Sequence, residues 1–382
     1  MEDRRPETGV WRLDIPPLNY IFVSEVRVPI TLYRRFYDNG KLRSSVFGLR
    51  TFLLFYDSGK LRSSVFGLFS YICINMSTKK YLIIIGGPTA SGKTSLAIQL
   101  AQHYDVPILS ADSRQFYREM NIGTAKPTAS ELEAAQHHFI NNLSIEDNYS
   151  VGDYEVDALA RLDKIYQNND IALMVGGSGL FIKAVCEGLD KFPEVPVSYR
   201  NDLHALMIQQ GIEALQEELE KSDPEYYRIV DLNNPHRLIR ALGVCRVSGQ
   251  PFSSFWQQNK IKRSFEPIYI LNTMDREMLY QRSNTRVDQM IAQGLVEEAK
   301  SLYPQKGLAA LNTVGYSELF DYFDELTSLE KAIELIKRNS RRYAKRQMTW
   351  LRRNPEWQAF PPASEKEILL FINEKMKTVA NS

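Results

Sequence analysis

The stretch Gly87-Pro-Thr-Ala-Ser-Gly92-Lys93-Thr94 satisfies G-x-x-x-x-G-K-[ST] in full. Its glycines let backbone N–H groups curl around phosphate oxygens, and a helix starting there adds positive potential. Lys93 supplies a point charge and Thr94 a hydroxyl for Mg²⁺. Such a loop indicates phosphate, not ATP hydrolysis. A nucleotide hydrolase adds an aspartate at the end of an apolar strand. Here the run Ile-Leu-Ser110 ends in Ala111-Asp112, whereas Ile171-Ala-Leu-Met-Val175 ends in two glycines. Asp112 is therefore the acid expected to face the loop, either as a base or as a magnesium organiser acting through water. The polar, aromatic residues after it, Ser113 to Tyr117 and Ile122 to Pro127, suit a site for a nucleobase or polynucleotide.

These residues need a scaffold that brings strand ends together. Tyr81-Leu-Ile-Ile-Ile85 is a short β-rich apolar run entering the loop, and Ser95 to His103 has a helical pattern. Val106 to Leu109, Ile171 to Val175 and Pro267 to Leu271 read as further buried strands. Strand, glycine loop and helix in succession predict an α/β fold, a P-loop NTPase-like parallel sheet flanked by helices, with ligands at the carboxyl ends of the strands. Residues 191–265 turn helical, with Asn234-Pro235 as a helix start. This segment is expected to be a helical insertion between two parts of the catalytic core, 76–190 and 266–360, with 361–382 as a C-terminal tail.

From Ile336 to Arg353 there are eight basic residues and no acid, interleaved with Tyr343 and Trp350. A solvated helix face carries both signs, so this run points to a surface that tracks a nucleic-acid backbone. Lys plus Arg number 47 against 46 acids, so the acids lie elsewhere and the charge is polarised. Three separated cysteines exclude a disulfide scaffold and a cysteine zinc site. His137-His138, read on a helix, would point apart and lack a third ligand. Phe252, Phe255 and Trp256 read as core. No run is apolar enough to span a bilayer, and a cytoplasmic location is expected.

The first 75 residues differ from the rest. Phe36 to Leu49 recurs as Phe55 to Leu68, with Asn39 against Ser58 the only change. Two near-identical copies fit a recent duplication better than a solenoid, which needs three or more diverged units. Residues 1–75 are expected to be an atypical leader outside the fold, with Met76 as the natural start.

After Met76, the ordered motifs GPTASGKT (87–94), SADSRQFYREMNIGTAKP (110–127), VGGSGLFIKAV (175–185), NPHRLIRAL (234–242), MDREMLYQRSNTRVDQMIAQGLVEEA (274–299), NTVGY (312–316) and RRYAKRQMTWLRR (341–353) resemble the tRNA dimethylallyltransferases, also called tRNA isopentenyltransferases. The resemblance covers nearly everything after Met76. It implies transfer of a dimethylallyl group from dimethylallyl diphosphate to N6 of the tRNA adenosine at position 37, 3′ of the anticodon, giving N6-(dimethylallyl)adenosine and pyrophosphate. It also implies that Gly87, Pro88, Thr89, Ala90, Ser91, Gly92, Lys93 and Thr94 hold the diphosphate, with Mg²⁺ on Thr94. Asp112 would be the base, and Arg286, Lys93 and Thr94 would stabilise the leaving group. The tRNA anticodon stem-loop would meet Asp112, Ser113, Arg114, Gln115, Ser178, Arg200, His236, Arg237, Leu238, Ile239 and Arg240. The basic run adds Arg341, Arg342, Lys345 and Arg346. A monomer is expected. Many family members have an arginine before the Val-Gly-Tyr core, where this chain has Leu311-Asn312-Thr313, so no arginine contact is expected there. The competing readings are a P-loop small-molecule kinase and a non-catalytic RNA-binding NTPase.

Overall fold

The computed structural model describes residues 79–256 and 261–380, together with five short strands between 21 and 61. The chain divides into two compact units, Met1–Thr78 and Lys79–Ser382. In the first, Ile21–Val23 pairs antiparallel with Leu53–Asp57. Each repeat copy contributes a matching antiparallel pair: Tyr37–Asp38 with Lys41–Leu42, and the end of Leu53–Asp57 with Lys60–Leu61. Apart from these strands, the expected leader lies outside the described residues.

The second unit is built on a six-stranded parallel sheet. Its strands are β1 (Lys80–Gly86), β2 (Ile108–Ser110), β3 (His137–His138), β4 (Ile171–Gly176), β5 (Phe265–Asn272) and β6 (Gln358–Phe360). Their spatial order is β6-β5-β1-β4-β2-β3. The run Leu82-Ile-Ile-Ile85 is wholly buried because it occupies the centre, with side chains alternating between two covered faces. Leu82 and Ile84 join a cluster under α2 (Val151–Ile165) and α3 (Gly179–Glu187). Ile83 and Ile85 pack under α1 (Lys93–Tyr104) and the C-terminal helix.

Two helical groups flank this sheet. Between β4 and β5 lie α4 (Val197–Gln210), α5 (Ile212–Ser222) and α6 (Pro235–Ser248). They share a core containing Leu203, Leu215, Leu219, Leu238 and Leu242, with Phe192 stacked on Phe252. The α6 start follows from its sequence: the Asn234 side chain accepts from Arg237 N–H, and Pro235 occupies the first turn. After β5 come α7 (Arg276–Ala292), α8 (Leu295–Leu302), α9 (Tyr316–Phe323) and α10 (Leu329–Leu351). These helices enclose a third core with Tyr117 and Met120. Among the described residues, no helix is long and apolar enough to cross a membrane.

Two expectations need correction. Within the segment expected to be a C-terminal tail, α11 (Glu365–Ala380) follows the sheet strand Gln358–Phe360 and buries Ile368 and Ile372 against the sheet. Charged residues between its apolar positions hide this helix behind Pro361-Pro362. His137-His138 is an edge strand rather than part of a helix, because it pairs with Ile108 and Leu109. Among the described residues, no three His, Cys, Asp or Glu side chains converge as metal ligands.

Candidate active site

The phosphate loop joins β1 to α1 at the carboxyl edge of the sheet. Its turn requires positive φ at Ala90 (68°) and Gly92 (89°), and glycine adopts the second without steric cost. Gly92 caps α1 without a side-chain hydrogen bond, and no acid lies in the first turn. The first-turn amides and the helix dipole are therefore open to an anion. Asn272, at the end of β5, donates through Nδ2 to Ser91 O at 3.1 Å and braces the loop from behind. The buried Ser91 hydroxyl has no partner among the described residues, which suits a polar ligand at this position.

Lys93 bends back toward the loop, with Nζ 3.4 Å from Pro88 O. Burial pulls its pKa down to about 8, against the opposing pull of Asp112, while Arg286 lowers it further. Burial likewise lowers the pKa of Arg286, reinforced by the neighbouring charge of Arg282. These two arginines stand four apart on α7 and line a cavity of about 410 Å³ with Ala90, Gln281, Thr285 and Gln289. Neither has an ion-pair partner among the described residues. Two guanidinium groups without an ion pair, that of Arg286 offset in part by the charges of Glu131 and Asp112, form a receptor for a multivalent anion beside the phosphate loop.

Asp112 follows β2 in a tight turn, where its Oδ1 accepts Arg114 N–H at 3.0 Å. The other carboxylate oxygen takes no hydrogen bond from the described residues. The Ser113 amide donates to Ser178 Oγ at 3.2 Å, and Ser178 N–H donates to Ala111 O at 3.3 Å. These bonds fasten the loops after β2 and β4 together. Gly176 is required there because a Cβ would lie 2.2 Å from Ala111 O. Tyr343 of α10 lies beside Ser178 at this junction. Tyr343 is 36% exposed as a whole, but cover of its phenol end and the nearby Asp112 charge push its pKa up to about 12.

The structure brings Lys93, Thr94, Asp112, Ser178 and Arg286 to one edge of the sheet, but uses several expected RNA contacts differently. Arg114 donates to the carbonyls of Ala309, Ala310 and Asn312, so it holds the 309–312 loop. Gln115 Nε2 donates to Thr124 O and Ala125 O. Arg341 bonds Asn284 at 2.6 Å. Leu238 and Ile239, 0% and 5% exposed, are core residues on the inner side of α6 and are corrected from RNA contacts to packing. Their neighbours His236, Arg237 and Arg240 are exposed, as is Arg200. On α10, Arg338, Arg342 and Lys345 are exposed at spacings of four and three, and with Arg352 at the helix C-cap they form a basic stripe.

Sequence reasoning misses Arg282, Asn272 and Gln347. Arg282 has a usable signal, its four-residue spacing from Arg286. Gln347 lies inside a run that stands out only for its charge. Glu298 is also missed: it accepts the amides of Asn121, Ile122 and Gly123 and the hydroxyl of Tyr316, fixing the 121–123 turn.

The IPP transferase family model matches residues 115–354. A tRNA dimethylallyltransferase from Christiangramia forsetii is 55% identical over 300 residues, covering 78% of this chain and 99% of that protein. One from Flavobacterium johnsoniae is 49% identical over 306 residues, covering 78% and 99%. The crystal structure of a full-length tRNA isopentenylpyrophosphate transferase from Bacillus halodurans superposes with a TM-score of 0.59 at 36% identity, covering 79% of this chain and 99% of that one. A eukaryotic dimethylallyltransferase acting on tRNA gives 0.64 at 25% identity, covering 79% of each chain. The loop, acid and paired arginines thus stand on a scaffold shared across nearly the whole length of the three bacterial relatives, and the chain belongs to the IPP transferase family.

Proposed function

We propose that the site transfers a dimethylallyl group from dimethylallyl diphosphate to N6 of adenosine 37, next to the anticodon of tRNA. The observation that supports this reading best is the meeting of Asp112, Lys93 and Arg286 at the mouth of an anion-receptive helix. A kinase would have no use for the basic stripe on α10.

The exocyclic adenine amine is a weak nucleophile because its lone pair is delocalised into the ring. Two things help it: a base for its proton and charge stabilisation for the leaving group. Asp112 takes the N6 proton through its unengaged oxygen as N6 bonds to C1 of the dimethylallyl group. The C1–O bond breaks, and Lys93, Arg286 and the first-turn amides of α1 receive the charge on pyrophosphate. Ser178 and Ser113 hold the base, which must leave the anticodon stack to reach this depth. The oxygen donors of Thr94 and, through water, Asp112 suit Mg²⁺, a hard cation that prefers oxygen ligands and retains waters. When bound, it neutralises diphosphate charge. Within this proposal the chain acts as a monomer in the cytoplasm.

Purified protein, unmodified tRNA, Mg²⁺ and labelled dimethylallyl diphosphate should give labelled tRNA and equimolar pyrophosphate without ATP. Transfer of an ATP γ-phosphate to a small molecule instead would sink the assignment.

Lys93 gives a pH signature. Its charged form binds the diphosphate, and with the free-site pKa near 8 the charge is lost as pH rises through that value. The kcat/KM for donor should therefore fall above about pH 8, by up to tenfold per unit. The donor-saturated rate should hold to higher pH, because a bound diphosphate keeps the ammonium protonated. Coincident pH profiles for the two parameters would remove Lys93 from donor capture.

For the basic stripe, changing Arg338, Arg342, Lys345 and Arg352 to glutamine should weaken tRNA binding and leave donor affinity within about twofold. The slope of log affinity against log salt should flatten by about 0.7–0.9 for each phosphate that the variant no longer neutralises. An unchanged slope would make the stripe an ordinary solvated face.

A further inference from the structure

One face of α10 is seated on the loop after β4. Tyr343 lies beside Ser178, Gln347 Nε2 donates to Gly177 O at 3.1 Å, and Trp350 covers Gly179. Spacings of four and three residues align these side chains along the helix. Of the three, Gln347 also bonds the phosphate loop: its Oε1 accepts Thr89 N–H at 2.9 Å. A carboxamide carries its acceptor and donor in one rigid plane, so moving either loop strains the bond to the other. The side chain is 6% exposed, which leaves little room for water to replace a broken bond. The junction is crowded as well. A Cβ on Gly177 would lie 2.1 Å from Gln347 Nε2 and 3.3 Å from Gly87 O, so the glycine makes the three-way junction possible. Elsewhere around the same helix, Arg338, Arg342 and Lys345 are exposed.

We propose that Gln347 is a positioning residue that couples the two substrates, linking RNA occupancy of α10 to the shape of the loop that holds the diphosphate. The inference rests on the functional reading above for which substrate lies on which side. Thr89 N–H is directed at Gln347, so the bond sets the opening of the loop without itself gripping phosphate. Because coupling between binding sites is reciprocal, a bound diphosphate must also raise affinity for RNA through the same carboxamide.

The test uses the full chain, with Gln347→Met and Gln347→Glu. Methionine keeps the length and makes neither bond; glutamate can still accept from Thr89 but cannot donate to Gly177. Inorganic pyrophosphate is titrated by calorimetry with and without a saturating unmodified anticodon stem-loop RNA, and the RNA with and without pyrophosphate. In the unaltered chain each ligand should raise affinity for the other by about 5–50-fold. In both variants the enhancement should drop to less than about twofold; with methionine each ligand's affinity measured alone changes by less than about threefold, whereas the added charge of glutamate also weakens pyrophosphate alone. Thermal melts verify folding, and if the methionine variant unfolds, the glutamate variant carries the test. A packing role alone would lower both single-ligand affinities and the melting temperature but preserve the enhancement ratio. That result, or no enhancement in the unaltered chain, overturns the proposal. Pyrophosphate carries no prenyl group, so the two readings fail separately: coupling without any prenyl transfer would defeat the functional assignment and leave the role of Gln347 standing.

Discussion

Asp112→Asn should lower the single-turnover rate by about 10²–10⁴-fold, the usual range for losing a general base, equivalent to about 3–5.5 kcal/mol in the barrier. The carboxamide can still accept the Arg114 amide as Asp112 Oδ1 does, so the turn after β2 is preserved. What disappears is the basicity of the other oxygen. Binding of dimethylallyl diphosphate should change little, because Lys93, Thr94 and the α1 amides hold it in the proposed site. Thr94→Ala supplies the contrast and should weaken the donor complex, its magnesium dependence and the rate together. An Asp112 that only organises magnesium makes a different forecast: the Asn variant loses donor affinity and recovers at high magnesium. Single-turnover rates and donor affinities measured across a magnesium titration distinguish the two. Recovery of Asp112→Asn by magnesium would end its assignment as the base.

The parts of this site legible in the sequence are those whose chemistry is local. The phosphate loop needs two glycines, a lysine and a threonine within eight residues, between an apolar strand and a helix, and that pattern survives without knowledge of the fold. Asp112 is legible because it follows a buried strand directly. Gln347 is not legible, since its partner Thr89 lies 258 residues away and a neutral amide within a basic run shows no periodicity or charge of its own. Arg114 and Gln115 show what adjacency alone leaves out. Adjacency to Asp112 groups them with it as RNA contacts, yet successive side chains leave a turn in different directions and these reach protein carbonyls. Leu238 and Ile239 fail for the same reason, because a continuous segment of α6 contains both its exposed and its buried faces. The helix Glu365–Ala380 is missed because a chain end after paired prolines reads as a tail, while its two buried isoleucines, four apart, complete one face of the sheet.

Arg286→Gln should slow transfer while making the ligand-free protein more resistant to heat. Arg286 is half-buried beside Arg282 and has no ion-pair partner among the described residues, and both burial and that neighbouring charge disfavour its charged form. Glu131 and Asp112 offset this only in part, so in the free protein it is a source of strain, and in the proposed reaction that same charge meets the departing pyrophosphate. Removing one preorganised group aimed at developing charge costs about 10²–10³ in rate. Relieving the repulsion should add about 0.5–2 kcal/mol of stability, as commonly happens when a functional site is neutralised. For a domain this large, each kcal/mol gained corresponds to a rise in melting temperature of about 2–4 °C or less. Arg286→Lys separates charge from shape: it keeps the repulsion but loses the planar fork that can grip two phosphate oxygens. Its melting temperature should stay within about 1 °C of the unaltered chain, and its rate should fall by only about tenfold. Dimethylallyl diphosphate should stabilise the unaltered protein more than it stabilises Arg286→Gln, so that the order of melting temperatures narrows or reverses on donor binding. If Arg286→Gln instead melts lower and transfers at the original rate, Arg286 is a structural residue and the leaving-group charge must be met by Lys93 and the α1 amides without it.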